Sequence, residues 1–113
     1  MPLNRYITEM GMGVDVHGGD YTKAAKRAVS DALRHSSLNF FSVLDKKVSD
    51  MHIIVKIGAQ NPTAINTDEV AAEVPYGEVK VEVEPGGLDV PSSTGTDILI
   101  MVNAAILVHF NDV

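Results

Sequence analysis

Hydrophobic and polar positions alternate with a period of two from Arg5 to His17. Tyr6, Thr8, Met10, Met12, Val14 and Val16 share one face, and Arg5, Ile7, Glu9, Gly11, Gly13, Asp15 and His17 share the other. This spacing predicts a strand with a buried apolar face and a polar face. Gly11 and Gly13 lie on the polar face, where missing side chains let a neighbour come close. Gly18-Gly19 ends the strand, and the Asp20 carboxylate is placed to accept from the free amides of a helix start.

The period then changes. Tyr21, Ala24, Ala25, Ala28, Val29, Ala32 and Leu33 follow the spacing of an amphipathic helix, with Lys23, Lys26, Arg27, Asp31 and Arg34 on its other side. Its alanine-rich face predicts close packing on a sheet. Ser36 to Asp50 reads either as a short second helix or as a packed connection. Met51 to Gly58 is a buried strand through Ile53, Ile54, Val55 and Ile57, and Gln60-Asn61-Pro62 is a turn. Asn66 with Glu69 has capping-box spacing and opens a short helix through Val70, Ala71 and Val74, which Pro75-Tyr76-Gly77 stops.

Glu78 to Glu84 alternates again, with Val79, Val81 and Val83 against a solvated row of Glu78, Lys80, Glu82 and Glu84. Pro85-Gly86-Gly87 and Pro91 to Gly95 bracket a turn-rich segment read as a functional loop. Asp97–Met101 and Ala104–Phe110 form one long strand or two short ones. The order β, α, (α), β, α, β, β predicts one α+β domain over residues 1–113: a two-layer sandwich with a mixed sheet and helices on one face. Such a sheet leaves its second face uncovered, and copies of the chain would cover it. A cytoplasmic homo-oligomer, trimeric or a larger ring with the sheets turned inward, is therefore expected.

Charge narrows the partners. Nine Lys and Arg against 15 Asp and Glu give a net charge of −6, which argues against a nucleic-acid or anionic-membrane surface. The absence of cysteine removes disulfides, thiolate nucleophiles and cysteine zinc sites. The apolar run from Ile98 to Phe110 is too short to span a membrane as a helix.

Candidate chemistry is densest from Gly11 to Gly19. Asp15 and His17 stand two apart on a strand, on the face that holds Gly11 and Gly13. Three readings stay open. Asp15 and His17 supply half of a metal site that distant His109 would complete. Alternatively, Asp15 orients His17 for proton transfer. In the third, the two residues hydrogen-bond across a subunit interface. Glu9, Gly11, Gly13, Gly18 and Tyr76 are the candidate ligand-lining residues beside them. The glycine run begins G-x-G, but Val16 stands at the third glycine of the dinucleotide fingerprint and no P-loop follows. It assigns no cofactor.

Gly11 to Gly18 reads G-x-G-x-D-x-H-G, and the chain resembles a small family of conserved hypothetical proteins of unknown function found in bacteria and plants. Ile57-Gly58, Pro75-Tyr76-Gly77, Gly86-Gly87-Leu88 and Asn103-Ala104-Ala105 extend the likeness along the chain. A fainter resemblance links it to the trimeric chorismate mutases. That likeness implies inward-facing sheets and ligand sites between subunits, while their substrate-holding arginines have no clear counterpart here. The ring-opening cyclic amide hydrolases use related units with Ser–Lys pairs, and that chemistry is not carried over. The expectation is a small oligomeric protein that binds a polar metabolite in an inter-subunit cleft, with proton transfer by His17 and Asp15. A non-catalytic metal- or ligand-binding oligomer is the alternative.

Overall fold

One strand organises the molecule. In the computed structural model, which describes residues 3–34, 50–75 and 77–111, β5 (Ile98–Asn111) runs through the middle of a five-stranded sheet. β1 (Leu3–Asp15) lies antiparallel along one side of it, with Asp15 opposite Ile100 and Glu9 opposite Ile106. β2 (His52–Ala59) lies antiparallel on the other side, and β3 (Glu78–Pro85) is parallel to β2. The sheet is therefore mixed, as the order of elements predicts.

The segment read as a loop contains a further strand. β4 (Leu88–Pro91) pairs with residues 98–101 of β5, while β2 takes residues 103–109 on the same side. To make that change of place, the chain leaves β3 and crosses the end of β2 at Gly86-Gly87. A Cβ on Gly86 would lie 2.9 Å from the Gly58 Cα, and one on Gly87 would lie 2.2 Å from the Met101 carbonyl oxygen. Four residues between two glycines and a serine-threonine turn carry too little periodicity to announce a strand. Its partner, more than in-strand pattern, makes it one.

The helices are α1 (Tyr21–Arg34) and the short α2 (Thr67–Ala71). Asp20 caps α1 by accepting from the Lys23 amide at 3.0 Å, and Asn66 caps α2 by accepting from the amides of Asp68 and Glu69. Both helices pack on one face of the sheet. There Ile100, Val102, Ala104, Ile106, Val108 and Phe110 of β5 meet Ile53, Val55, Ile57 and Ala59 of β2 beneath Ala24, Ala28, Val29 and Ala32. Each large side chain buried in this way contributes about 1.5–3 kcal/mol. The candidate helix at 36–50 lies outside the described residues apart from Asp50.

The expected orientation of β1 is reversed. Its glycine face turns inward, and its apolar face is open: Met10 is 68% exposed, Met12 54% and Val16 47%. The cause is the helix. Two residues of strand span about 6.6 Å and one turn of helix about 5.4 Å, so Gly13 sits under Ala24 and Ala28, and Gly11 under Ala28 and Ala32. The backbones approach so closely that only glycine fits there. Leu88 and Val90 of β4 are exposed on the same face, with Met101 of β5 between Leu88 and Val14, and no described helix lies over this face. The row Glu78, Lys80, Glu82 and Glu84 borders it on β3.

Candidate functional site

The end of β1 and the start of β5 meet at one end of the sheet, and this brings His17 to Asp97. His17 Nδ1 lies 3.0 Å from Asp97 Oδ2, while the imidazole is 87% exposed. Backbone amides hold the other carboxylate oxygen: Gly18 donates to Oδ1 at 3.2 Å and Ile98 at 2.8 Å. The His17 contact, followed by these two amides, holds the Asp97 carboxyl below its ordinary pKa. The left-handed conformation of Gly18, φ +92°, turns its amide to the carboxylate.

Beside the pair, a shallow recess of about 570 Å³ is lined by Gly18, Gly19, Pro91, Gly95, Thr96 and Asp97. Hydroxyls run along its loop, with Ser92 Oγ 3.2 Å from Thr94 Oγ1, which is 2.7 Å from Thr96 Oγ1. Ser92 Oγ also accepts from the Asp97 amide at 3.2 Å and so fixes the backbone that carries the carboxylate. A carboxylate orienting an exposed imidazole is the arrangement of a proton acceptor whose second ring nitrogen is free for a ligand.

Asp15 is not part of it. Its side chain is 3% exposed and accepts from the Asp20 amide at 2.9 Å, with Lys23 Nζ at 3.5 Å and Arg27 at 3.7 Å. Two cations and an amide tie this carboxylate to the start of α1, so it fastens helix to strand. The pairing of Asp15 with His17 is thus corrected: same-face side chains on a strand diverge once the strand ends between them, and β1 ends at Asp15.

The other predicted residues are scattered. Gly11 and Gly13 are filled by α1 and line no ligand space. Glu9, paired with Ile106, stands six residues along β5 from the Asp15 pairing, about 20 Å away. His109 is roughly 30 Å from that end by the same spacing, and its Nδ1 is 3.3 Å from the His52 carbonyl oxygen. The metal set of Asp15, His17 and His109 is therefore not assembled. Among the described residues no group of three or more His, Asp or Glu is placed to hold a metal ion. Tyr76 lies outside the described residues.

A second polar contact stands on the helix side. The Tyr21 hydroxyl donates to Asp89 Oδ2, and this bond, with burial and the carboxylate charge, pushes the phenol pKa up. Asp97 and Asp89 both escaped the sequence reading. Asp89 sits in the segment taken as a loop and Asp97 at the start of the last predicted strand, where the only signal was a polar residue at the edge of an apolar run.

No helix among the described residues is long and apolar enough to cross a membrane. No curated protein matches the chain. A crystal structure of an FtsZ-like protein of unknown function from Nostoc punctiforme PCC 73102 is similar: 32% identity, 99% of each chain covered, TM-score 0.87. The family model described as "Conserved hypothetical protein (Lin0512_fam)" matches residues 5–108. The chain belongs to this family of conserved hypothetical proteins.

Proposed function

We propose that the chain is a cytoplasmic, self-associating protein that binds a small polar metabolite at the His17–Asp97 pair, with His17 accepting a proton and Asp97 orienting it. The observation that carries this reading is the pair itself: an exposed imidazole 3.0 Å from a carboxylate that two amides hold in place, beside an open recess. The open sheet face ends at the same place, through Val14, Val16 and Val90. A second copy on that face would turn the recess into a cleft between subunits, in the manner of the trimeric chorismate mutase fold.

A second copy would sit on the face and not extend the sheet, because the neighbouring edge is closed to pairing. β1 is an outer strand, yet Asp31 of α1 accepts from its Met12 amide at 3.0 Å and Arg27 donates to its Val14 carbonyl at 2.6 Å. Side chains on these groups discourage strand addition there. Association through the apolar face remains, and symmetric self-association is the common way to bury such a face.

Native mass spectrometry of the wild type and of the Leu88→Glu, His17→Ala and Asp97→Asn variants tests both parts. The expected wild type is an oligomer carrying a small-molecule mass. Leu88→Glu loses the assembly, whereas His17→Ala keeps the assembly and loses the mass. A monomeric wild type removes the self-association. A mass retained by His17→Ala removes the site.

A further inference from the structure

The open sheet face carries a dent at its centre. Read across the strands, one row runs Met10, Ala105, Lys56 and Glu82, and the next runs Met12, Asn103, Gly58 and Glu84. Ala105 and Gly58 are too small to fill the space between Met10 on one side and Lys56 on the other. The crossing at Pro85-Gly86 walls its end. The result is a recess of about 360 Å³, within the range of small-molecule sites.

Its polar groups are unspent. Among the described residues Lys56 has no ion pair, because Glu82, opposite it on β3, lies 3.7 Å from Lys80 instead. The Asn103 side chain makes no hydrogen bond among the described residues. An ammonium and an amide thus converge on a small, mainly apolar hollow. Three of the segments noted in the sequence, Ile57-Gly58, Gly86-Gly87-Leu88 and Asn103-Ala104-Ala105, meet there, although they are far apart along the chain.

We infer that this recess is a binding site for a small organic monocarboxylate, with Lys56 pairing the carboxylate, Asn103 donating to it, and the apolar tail lying over Ala105 against Met10. Charge sets the class. Glu84 lines the same recess and Glu82 is nearby, in a chain of net charge −6, so a multiply charged anion such as phosphate is disfavoured. The apolar lining favours a ligand with a hydrocarbon part. The site is separate from His17 and does not rest on the reading given for it.

The probe is hexanoate, titrated into isotope-labelled full-length protein and followed by amide NMR, with hexanamide and inorganic phosphate as comparisons. Wild type and Leu88→Glu are both used, so that a covered sheet face does not hide the recess. Hexanoate is expected to shift the amides of Lys56, Gly58, Asn103 and Ala105 in at least one of the two, and hexanamide and phosphate to leave them in place. Lys56→Met is expected to weaken binding about tenfold or more, as loss of a charge-assisted contact does. Ala105→Leu, which fills the hollow and keeps every charge, is expected to abolish it, and His17→Ala to leave it unchanged. No shifts in either background, equal binding of hexanamide or phosphate, or undiminished binding by either recess variant overturns the proposal.

Discussion

Gly13 and Ala24 are in backbone contact: a Cβ on Gly13 would stand 2.1 Å from the Ala24 carbonyl oxygen. The helix cannot rise without uncovering the alanine and valine core beneath it. Gly13→Ala is therefore expected to destabilise the fold by about 3 kcal/mol or more, at the upper end of overpacking costs. Gly18→Ala meets nothing within 4 Å and bears only the left-handed backbone cost, about 1–2 kcal/mol. Urea denaturation of the two variants at one protein concentration checks the order, and equal losses would show that α1 is not pressed on β1.

Asp15 holds that contact from its end. Replacing it with alanine removes the acceptor for the Asp20 amide and the partner of Lys23 and Arg27. Both cations are about half exposed, 51% and 50%, and rehydrate when freed, so the expected loss is about 1–3 kcal/mol. The Gly18 amide, which donates to Asp97, should keep its NMR shift in this variant. A moved Gly18 amide would restore a coupling between Asp15 and the His17–Asp97 pair.

Asp97 makes stability depend on acid. Its folded pKa is depressed, so the unfolded chain takes up the proton first as pH falls. The stabilisation is present above the ordinary carboxylate pKa of about 3.9 and is lost as pH drops through the folded value. Wild type should exceed Asp97→Asn in unfolding free energy near neutrality, and the gap should close from about pH 5 downward. A gap that stays constant to pH 3 would mean that the ionised carboxylate is not favoured by the fold.

Local pattern carried a good deal of this. The alanine stripe from Ala24 to Ala32 marks a helix pressed on a sheet, Asn66 marks the start of another, and the valines of β3 mark a strand with one wet face. The glycines at 11 and 13 announce a close approach, and the structure identifies the approaching group as α1 itself. The His17 site was half legible. The imidazole stands exposed just past the end of β1, and its carboxylate partner was misassigned to a neighbour in sequence, because a one-dimensional pattern offers only nearby residues as partners.

By itself the sequence determined which residues share a face and where α1 begins, since periodicity and capping are local properties of the chain. Only the tertiary structure decided which face of β1 turns inward, that residues 88–91 form a strand, and that His17 meets Asp97. Those outcomes depend on how closely α1 can settle on the sheet and on pairings with β5, which place β4 in the sheet and bring His17 to Asp97, 80 positions away. No spacing along the chain encodes either one.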